Sequence, residues 1–133
     1  MKRIRIVALI AGLAADLIGT IIVSAAIVFG FVVLHRSSGQ RSADLVHALE
    51  TNSLYWVAGY VYGTAFTFLG AYIVARMSRP HSVLNTIVFG IISTLLIVFF
   101  DPSAYPAWYI VLCVLTIIPV SLVPGYLLAR RTV

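Results

Sequence analysis

One acidic side chain, Asp16, lies inside a long apolar run of the sequence. A charged carboxylate at the centre of a membrane helix costs about 2.5–3.5 kcal/mol on insertion scales, so intramembrane acids are rare and are functional candidates. A carboxyl group that takes up and releases a proton at this depth can couple proton movement to the movement of a substrate. The alternative is a structural role, in which a protonated Asp16 is hydrogen-bonded between two helices.

Hydroxyl and amide side chains in the apolar runs are the candidate partners of this carboxyl group. Asn85 could form a hydrogen bond to Asp16 or to Tyr72, and the alternative is a hydrogen bond to a local backbone carbonyl group. A polar lining that extends from Asp16 through Thr64, Thr67 and Thr94 would favour transport over a structural role. The candidate hydrogen-bond partners are Thr20, Tyr60, Thr64, Thr67 and Asn85.

The sequence contains little else that could do chemistry. Asp44, His47 and Glu50 share one face of a predicted short helix, but two carboxylates and one imidazole are a weak metal site. Cys113, the one cysteine, excludes a disulfide framework and a thiolate metal site. No nucleophile–base set and no phosphate-binding loop is recognisable. We therefore expect no catalytic residues, no metal and no cofactor, and a protein that is not an enzyme.

The composition identifies the elements that must position Asp16. Of the 133 residues, 62% are hydrophobic and 10% are charged, whereas soluble domains average about 45–50% and about 25%. This excludes a soluble globular protein, a disordered chain and a nucleic-acid-binding module. Each of four apolar runs is near the roughly 20 residues that cross a bilayer, and the first is longer. We predict an all-α membrane protein, one domain over residues 1–133, with transmembrane helices at about 6–34, 54–75, 83–100 and 107–129.

The distribution of basic residues predicts the orientation of these helices. Seven of the nine Lys and Arg residues fall on the side of the two termini, and Arg36 and Arg41 fall on the other. The positive-inside rule then places both termini in the cytoplasm. A basic cluster on that side could attract anionic lipid, although topology determination alone explains it. The cluster consists of Arg76, Arg79, Arg130 and Arg131.

The long connection between the first two spans contains a further helix signal. Ser42 is a suitable N-cap for a helix over residues 43–51. Leu45 and Leu49 fall on one face of that helix, and the acids and His47 fall on the other. This pattern predicts a short amphipathic helix that lies on the membrane or on the bundle.

Small residues predict where the helices approach one another, since lipid provides little hydrophobic drive for helix association. Packing within one chain is favoured over homodimerisation through Gly59 and Gly63, because a four-helix chain has internal partners for its small faces. The predicted packing residues are Gly12, Gly19, Gly59, Gly63, Gly70 and Gly90.

Two resemblances follow from these motifs. The layout Asp16-x-x-Gly19-Thr20, then Gly70-Ala71-Tyr72-x-x-Ala75-Arg76, then His81 and Gly90, resembles small bacterial four-helix membrane proteins of unknown function. Ala71 stands where that pattern has a second Gly. This resemblance spans most of the chain and implies a multi-pass protein of the inner (cytoplasmic) membrane, but it implies no activity. Residues 14–20 are also similar to the start of small multidrug-resistance transporters, which have Glu at the position of Asp16 and lack the long outer loop.

Two functions are compatible with the sequence. The scarcity of polar residues favours an interaction or accessory component of the membrane, whose candidate partners besides the lipid bilayer are a second copy or another membrane protein. The alternative is a proton-coupled small-molecule transporter that uses Asp16. No nucleic-acid partner is expected from so apolar a chain.

Overall fold

A computed structural model describes residues 4–35, 41–99 and 105–130 of the chain. Within these ranges the chain forms five helices and no strand. They are α1 (Ile6–His35), α2 (Ser42–Glu50), α3 (Ser53–Met77), α4 (Ser82–Phe99) and α5 (Ala107–Arg130).

Four of these helices, α1, α3, α4 and α5, are long and apolar enough to cross a membrane. The all-α class and the four predicted spans are therefore confirmed, and the chain is a small multi-pass integral membrane protein. With 30 residues, α1 is about 45 Å long at 1.5 Å per residue. It exceeds the roughly 30 Å hydrocarbon core and must tilt or project beyond it. The orientation of the termini and the identity of the membrane stay predictions.

Gly12 on α1 and Gly70 on α3 bring these two helices into backbone contact. A Cβ atom at either glycine would lie 2.7 Å from the carbonyl oxygen of the other. A Cβ at Gly12 would also collide with the Val74 side chain, and one at Gly70 would lie 2.9 Å from the Phe89 ring. Side chains cannot be accommodated at this separation without moving the helices apart. Both glycines thus have the packing role expected from the sequence.

The α4–α5 hairpin is held by two reciprocal pairs of small residues. Gly90 of α4 packs on Ser121 of α5, and one turn away Gly125 of α5 packs on Thr86 of α4. The Ser82 hydroxyl then donates to the Gly125 carbonyl oxygen at 3.0 Å. Each pair sets a glycine against a small polar residue, so the two backbones approach closely along the whole contact.

An apolar core closes the bundle on the side of the α1 N-terminus. Leu9, Ala71, Val74 and Phe89 are buried together there, just beyond the Gly12–Gly70 crossing. Three helices, α1, α3 and α4, contribute to this core. No aqueous path through this part of the bundle is compatible with such packing.

The predicted amphipathic helix is present as α2, with one correction at its start. Leu45 and Leu49 are buried, whereas the acids of α2 are exposed. Ser42 is the first helical residue and not the N-cap; Arg41 occupies the cap position, with no side-chain hydrogen bond to the helix. A difference of one residue is within the one to two residues by which assignments of helix ends commonly differ. The Trp56 indole N–H donates to the Glu50 carbonyl oxygen at 2.6 Å and fastens the end of α2 to α3.

The two ends of the bundle differ in chemistry. We call one the basic end; among described residues it carries Arg5, Arg76, Arg79 and Arg130, all exposed, whereas Arg131 lies outside the described ranges. We call the other the aromatic end. It is formed by rings in mutual contact, with centroid separations of 5.4 Å for Trp56–Tyr109 and 5.6 Å for both Trp56–Tyr105 and Tyr105–Tyr109.

Candidate functional site: an intramembrane cavity at Asp16

The Asp16 side chain is buried inside the bundle, with 8% of its surface exposed. Gly12 and Gly19 lie four residues before it and three after it, which places all three on the same face of α1. Gly12 holds that face against the α3 backbone, and Gly19 lies against the Phe66 ring. The acid is therefore directed into the protein by the small residues around it, and not toward lipid.

Thr67 of α3 is the hydrogen-bond partner of Asp16. Its hydroxyl group lies 3.3 Å from Oδ1 and 3.4 Å from Oδ2 and donates between the two oxygens. Both separations are long for a bond between a hydroxyl and a carboxyl oxygen, which usually measures 2.5–3.0 Å. Thr67, itself 6% exposed, therefore holds the acid only loosely and leaves it able to accept a stronger donor.

Asp16 lies at one end of a cavity of about 490 Å³ between α1, α3, α4 and α5. Small-molecule sites in proteins usually measure about 300–1,000 Å³ and combine apolar walls with a few polar groups. Thr20, Tyr60 and Thr64, predicted as partners of Asp16, line this cavity without bonding to the acid. Its polar lining residues are Asp16, Thr20, Tyr60, Thr64, Thr67, Ser93, Tyr105, Tyr109, Cys113 and Thr116.

Ser93 of α4 lies beside Asp16 in the cavity lining. The residue is 6% exposed, and its Oγ lies near the Asp16 carboxyl group but forms no hydrogen bond of normal length and angle among the residues that the structure describes. A buried polar group without a partner costs about 1–3 kcal/mol. A polar group of a ligand, placed between Ser93 and Asp16, would satisfy both side chains.

Ser93 was not singled out by the sequence analysis, although a signal for it exists. Ser82, Thr86, Gly90 and Ser93 recur at spacings of four, four and three residues along α4. This spacing places them on one helix face. A row of small polar residues in an apolar span marks the face that is turned away from lipid.

Asn85 and Thr94 lie outside the cavity lining. Asn85 is fully buried near the basic end, where its Oδ1 accepts from the Arg5 backbone N–H at 2.8 Å. Its Nδ2 donates to the His81 carbonyl oxygen at 2.9 Å, which confirms the local alternative predicted for it. The Thr94 hydroxyl donates to the Gly90 carbonyl oxygen at 2.8 Å, within its own helix. Ser93, and not the predicted Thr94, therefore belongs to the polar lining of the cavity.

Gly59 and Gly63 differ from the other predicted packing glycines. A Cβ at Gly59 would lie 3.7 Å from the hydroxyl oxygens of Tyr62 and Tyr109, an ordinary contact. A Cβ at Gly63 would meet nothing within 4 Å, and Gly63 lines the cavity. Neither residue forms a close helix crossing within the chain. Gly63 instead leaves cavity volume that a side chain would fill.

The cavity extends from Asp16 toward the aromatic end. Tyr60, Tyr105 and Tyr109 form its aromatic wall, and Cys113 lies next to Tyr109 on α5. Trp56 contacts both Tyr105 and Tyr109 and is bonded to the end of α2. The end of α2 is therefore linked to the cavity wall through the Trp56 ring.

One side of the cavity is open along α1. Leu17 and Ile21 line the cavity and are still 46% and 64% exposed. The contact between α1 and α4 is short, whereas α1 packs extensively on α3. In contrast, the core around Phe89 closes the cavity from the basic end. The cavity is therefore asymmetric, closed toward the basic end by the packed core and bordered along α1 by partly exposed side chains.

The arrangement can bind a polar group and transfer a proton to or from it. The carboxyl group and the two hydroxyl groups of Thr67 and Ser93 accept and donate hydrogen bonds. No group of three or more His, Cys, Asp or Glu side chains that could hold a metal ion occurs within residues 4–35, 41–99 and 105–130.

Comparison of the chain with protein-family models, with characterised proteins and with solved structures finds no match.

Proposed function

We propose that this protein is a small-molecule carrier of the membrane, in which the Asp16 carboxyl group binds either the substrate or a proton. The observation that supports this function best is the position of the acid. The single acidic residue among the four spans lies at the closed end of a cavity, beside a buried hydroxyl group without a partner. The bond from Thr67 is by itself compatible with a structural acid, so the cavity and the unsatisfied hydroxyl group are the features that support substrate binding.

The competition between proton and substrate would take place at one carboxyl group. In the protonated form, Asp16 is neutral and is compatible with the low dielectric of the bundle. A substrate with a donor group bonds best to the deprotonated form and so favours release of the proton. Because both ligands use the same carboxyl group, binding of one favours release of the other. This is the linkage that an exchanger requires.

Two features of the bundle favour a second conformation of the protein, in which the cavity opens toward the basic end. The short α1–α4 contact allows α1 to shift against the α4–α5 hairpin. Pro119 and Pro124 lie within α5, and a proline cannot donate the usual helix hydrogen bond. The carbonyl group of Val120, which lines the cavity, is four residues before Pro124 and lacks that donor. α5 is therefore the span best suited to bend at the cavity.

The direct test is proton flux in liposomes that contain the purified protein and a trapped pH-sensitive dye. Amines, carboxylic acids, sugars and nucleosides are added in turn to the wild type, to Asp16→Asn and to Thr94→Val. We expect one class to drive proton movement in the wild type and in Thr94→Val above the rate measured with Asp16→Asn, whose signal contains only the passive permeation of the compound. The Thr94 variant is the matched control, because its hydroxyl group lies in a span but outside the cavity.

The wild type must also be folded in the liposomes for a negative result to be informative. Tryptophan fluorescence of Trp56 and Trp108 at the aromatic end reports on this. A folded wild type with no proton flux for any class, or an Asp16→Asn variant with unchanged flux, would contradict the proposal.

An interaction or accessory role is the second candidate. It is favoured by Gly30 of α1, a small residue at which a Cβ would meet nothing within 4 Å, so that another helix could approach closely there. Native mass spectrometry of protein extracted gently from its own membrane separates the two candidates. A distinct partner at fixed stoichiometry would support the accessory role, whereas a small-molecule adduct that is lost in Asp16→Asn would support the carrier.

A further inference from the structure

A second concave surface lies on the outside of the α4–α5 hairpin. It is an apolar groove of about 300 Å³ that shares no lining residue with the Asp16 cavity. Several of its side chains are exposed, including Val123 at 46% and Leu127 at 53%. Because both helices span the membrane, this surface faces lipid. The groove is lined by Val83, Leu122, Val123, Tyr126 and Leu127.

Arg130 is fixed at the basic end of this groove. Its Nη2 donates to the Tyr126 hydroxyl at 2.7 Å, and its Cζ lies 4.5 Å from the centre of the Tyr126 ring. The long side chain is thus folded back along α5 onto a residue that lines the groove. A guanidinium group has five N–H donors, and the bond to Tyr126 uses one of them. The others can meet an anion at the groove.

The start of α4 lies at the same end. The hydrogen bond from Ser82 to the Gly125 carbonyl oxygen holds the first turn of α4 beside the last turns of α5. Arg79, which is exposed, precedes that turn by three residues. The groove therefore combines an apolar floor with positive charge at one end, and that end lies where a bilayer changes from hydrocarbon to headgroups.

We propose that this groove binds an anionic phospholipid, with an acyl chain on the apolar floor and the phosphate group at Arg130. Guanidinium groups match phosphate oxygens in two-point geometry. A second copy of the chain is a poorer occupant, because a symmetric contact through this groove would place the two Arg130 groups near each other. The inference is independent of carriage in the Asp16 cavity, since the two sites share no lining residue.

The test is lipid binding measured by native mass spectrometry in mild detergent. The probes are phosphatidylglycerol and phosphatidylcholine with identical acyl chains, added at equal concentrations. Arg130→Gln is compared with Arg76→Gln, which removes the same charge from the basic end but from α3, a helix that does not line the groove. Val123→Trp fills the groove without changing the charge, and its exposed position makes it compatible with folding.

We expect the wild type and Arg76→Gln to bind phosphatidylglycerol at least tenfold more tightly than phosphatidylcholine. Arg130→Gln should lose that preference, and Val123→Trp should weaken binding of both lipids. Equal losses in the two arginine variants would indicate diffuse charge attraction and overturn the proposal. Unchanged binding in Val123→Trp, or a protein dimer that Val123→Trp converts to monomers, would overturn it as well.

Discussion

Replacement of Ser93 by alanine should stabilise the protein while weakening its ligand site. The Ser93 Oγ is buried and has no hydrogen-bond partner among the described residues. In a separated membrane helix the same hydroxyl group would bond to a carbonyl group of its own helix, four residues earlier. Folding of the bundle therefore leaves a polar group unsatisfied, and alanine removes that group with little change in volume.

The magnitude follows from the cost of such a group. A buried unsatisfied hydroxyl group costs about 1–3 kcal/mol, whereas a hydrogen bond between membrane helices contributes less, about 0.6 kcal/mol on average. We expect Ser93→Ala to raise the free energy of unfolding by about 1 kcal/mol. Since about 1.4 kcal/mol is a factor of ten, this is about a fivefold change in the unfolding equilibrium.

The assay is reversible unfolding in mixed micelles, followed by tryptophan fluorescence. Ser121→Ala is the matched control, because Ser121 is a fully buried serine of the neighbouring span. Its hydroxyl group donates to the Ile118 carbonyl oxygen at 2.9 Å, so alanine removes a satisfied group there and should not stabilise. If Ser93→Ala is destabilising to the same extent as Ser121→Ala, the reasoning about the unsatisfied hydroxyl is refuted.

Three further predictions address packing, the acid and access. Gly12→Ala should lower the melting temperature in detergent by several degrees, because its Cβ would lie 2.7 Å from the Gly70 carbonyl oxygen. Gly63→Ala should have almost no effect, and equal effects of the two variants would contradict the α1–α3 crossing. Thr67→Val removes the hydroxyl group that donates to Asp16, so it should shift the pH dependence of proton flux in the liposome assay, whereas Thr94→Val should not. Identical pH profiles would argue against the bond. Cys113, the one cysteine, should react slowly with a small maleimide, and Gly63→Leu should slow the reaction further by filling the cavity. The labelling rate is measured by mass spectrometry, and a wild-type rate in Gly63→Leu would contradict the position of Gly63 in the cavity.

The candidate site was only partly predictable from residue types. Asp16 was identified because one acid in an apolar run is expensive wherever the run folds. Thr67 was one of five candidate partners, and nothing in their spacing distinguishes it from Thr64, which lines the cavity without bonding to the acid. The difference is a rotation of α3 about its axis, which depends on the Gly12–Gly70 contact between distant parts of the chain.

The predicted role of Gly63 shows the same limit. A small residue in a span is compatible with close helix packing and equally with an open space, and the sequence pattern is identical in the two cases. Gly70 meets a backbone carbonyl group, whereas Gly63 faces the cavity. The close approach at Gly125, which pairs with Thr86, was not predicted at all for the same reason.

The sequence by itself determined the four spans, the short amphipathic helix and the presence of one intramembrane acid. These properties follow from transfer free energies that add up along a local segment, so neighbouring residues are sufficient to decide them. Only the tertiary structure decided which helix faces meet, that a cavity of about 490 Å³ remains between them, and that Ser93 shares it with Asp16. In a membrane both lipid and protein interior are apolar, so hydrophobicity does not mark the buried face of a span. That face is set instead by contacts between residues far apart in the chain, such as Gly12 with Gly70 and Gly90 with Ser121.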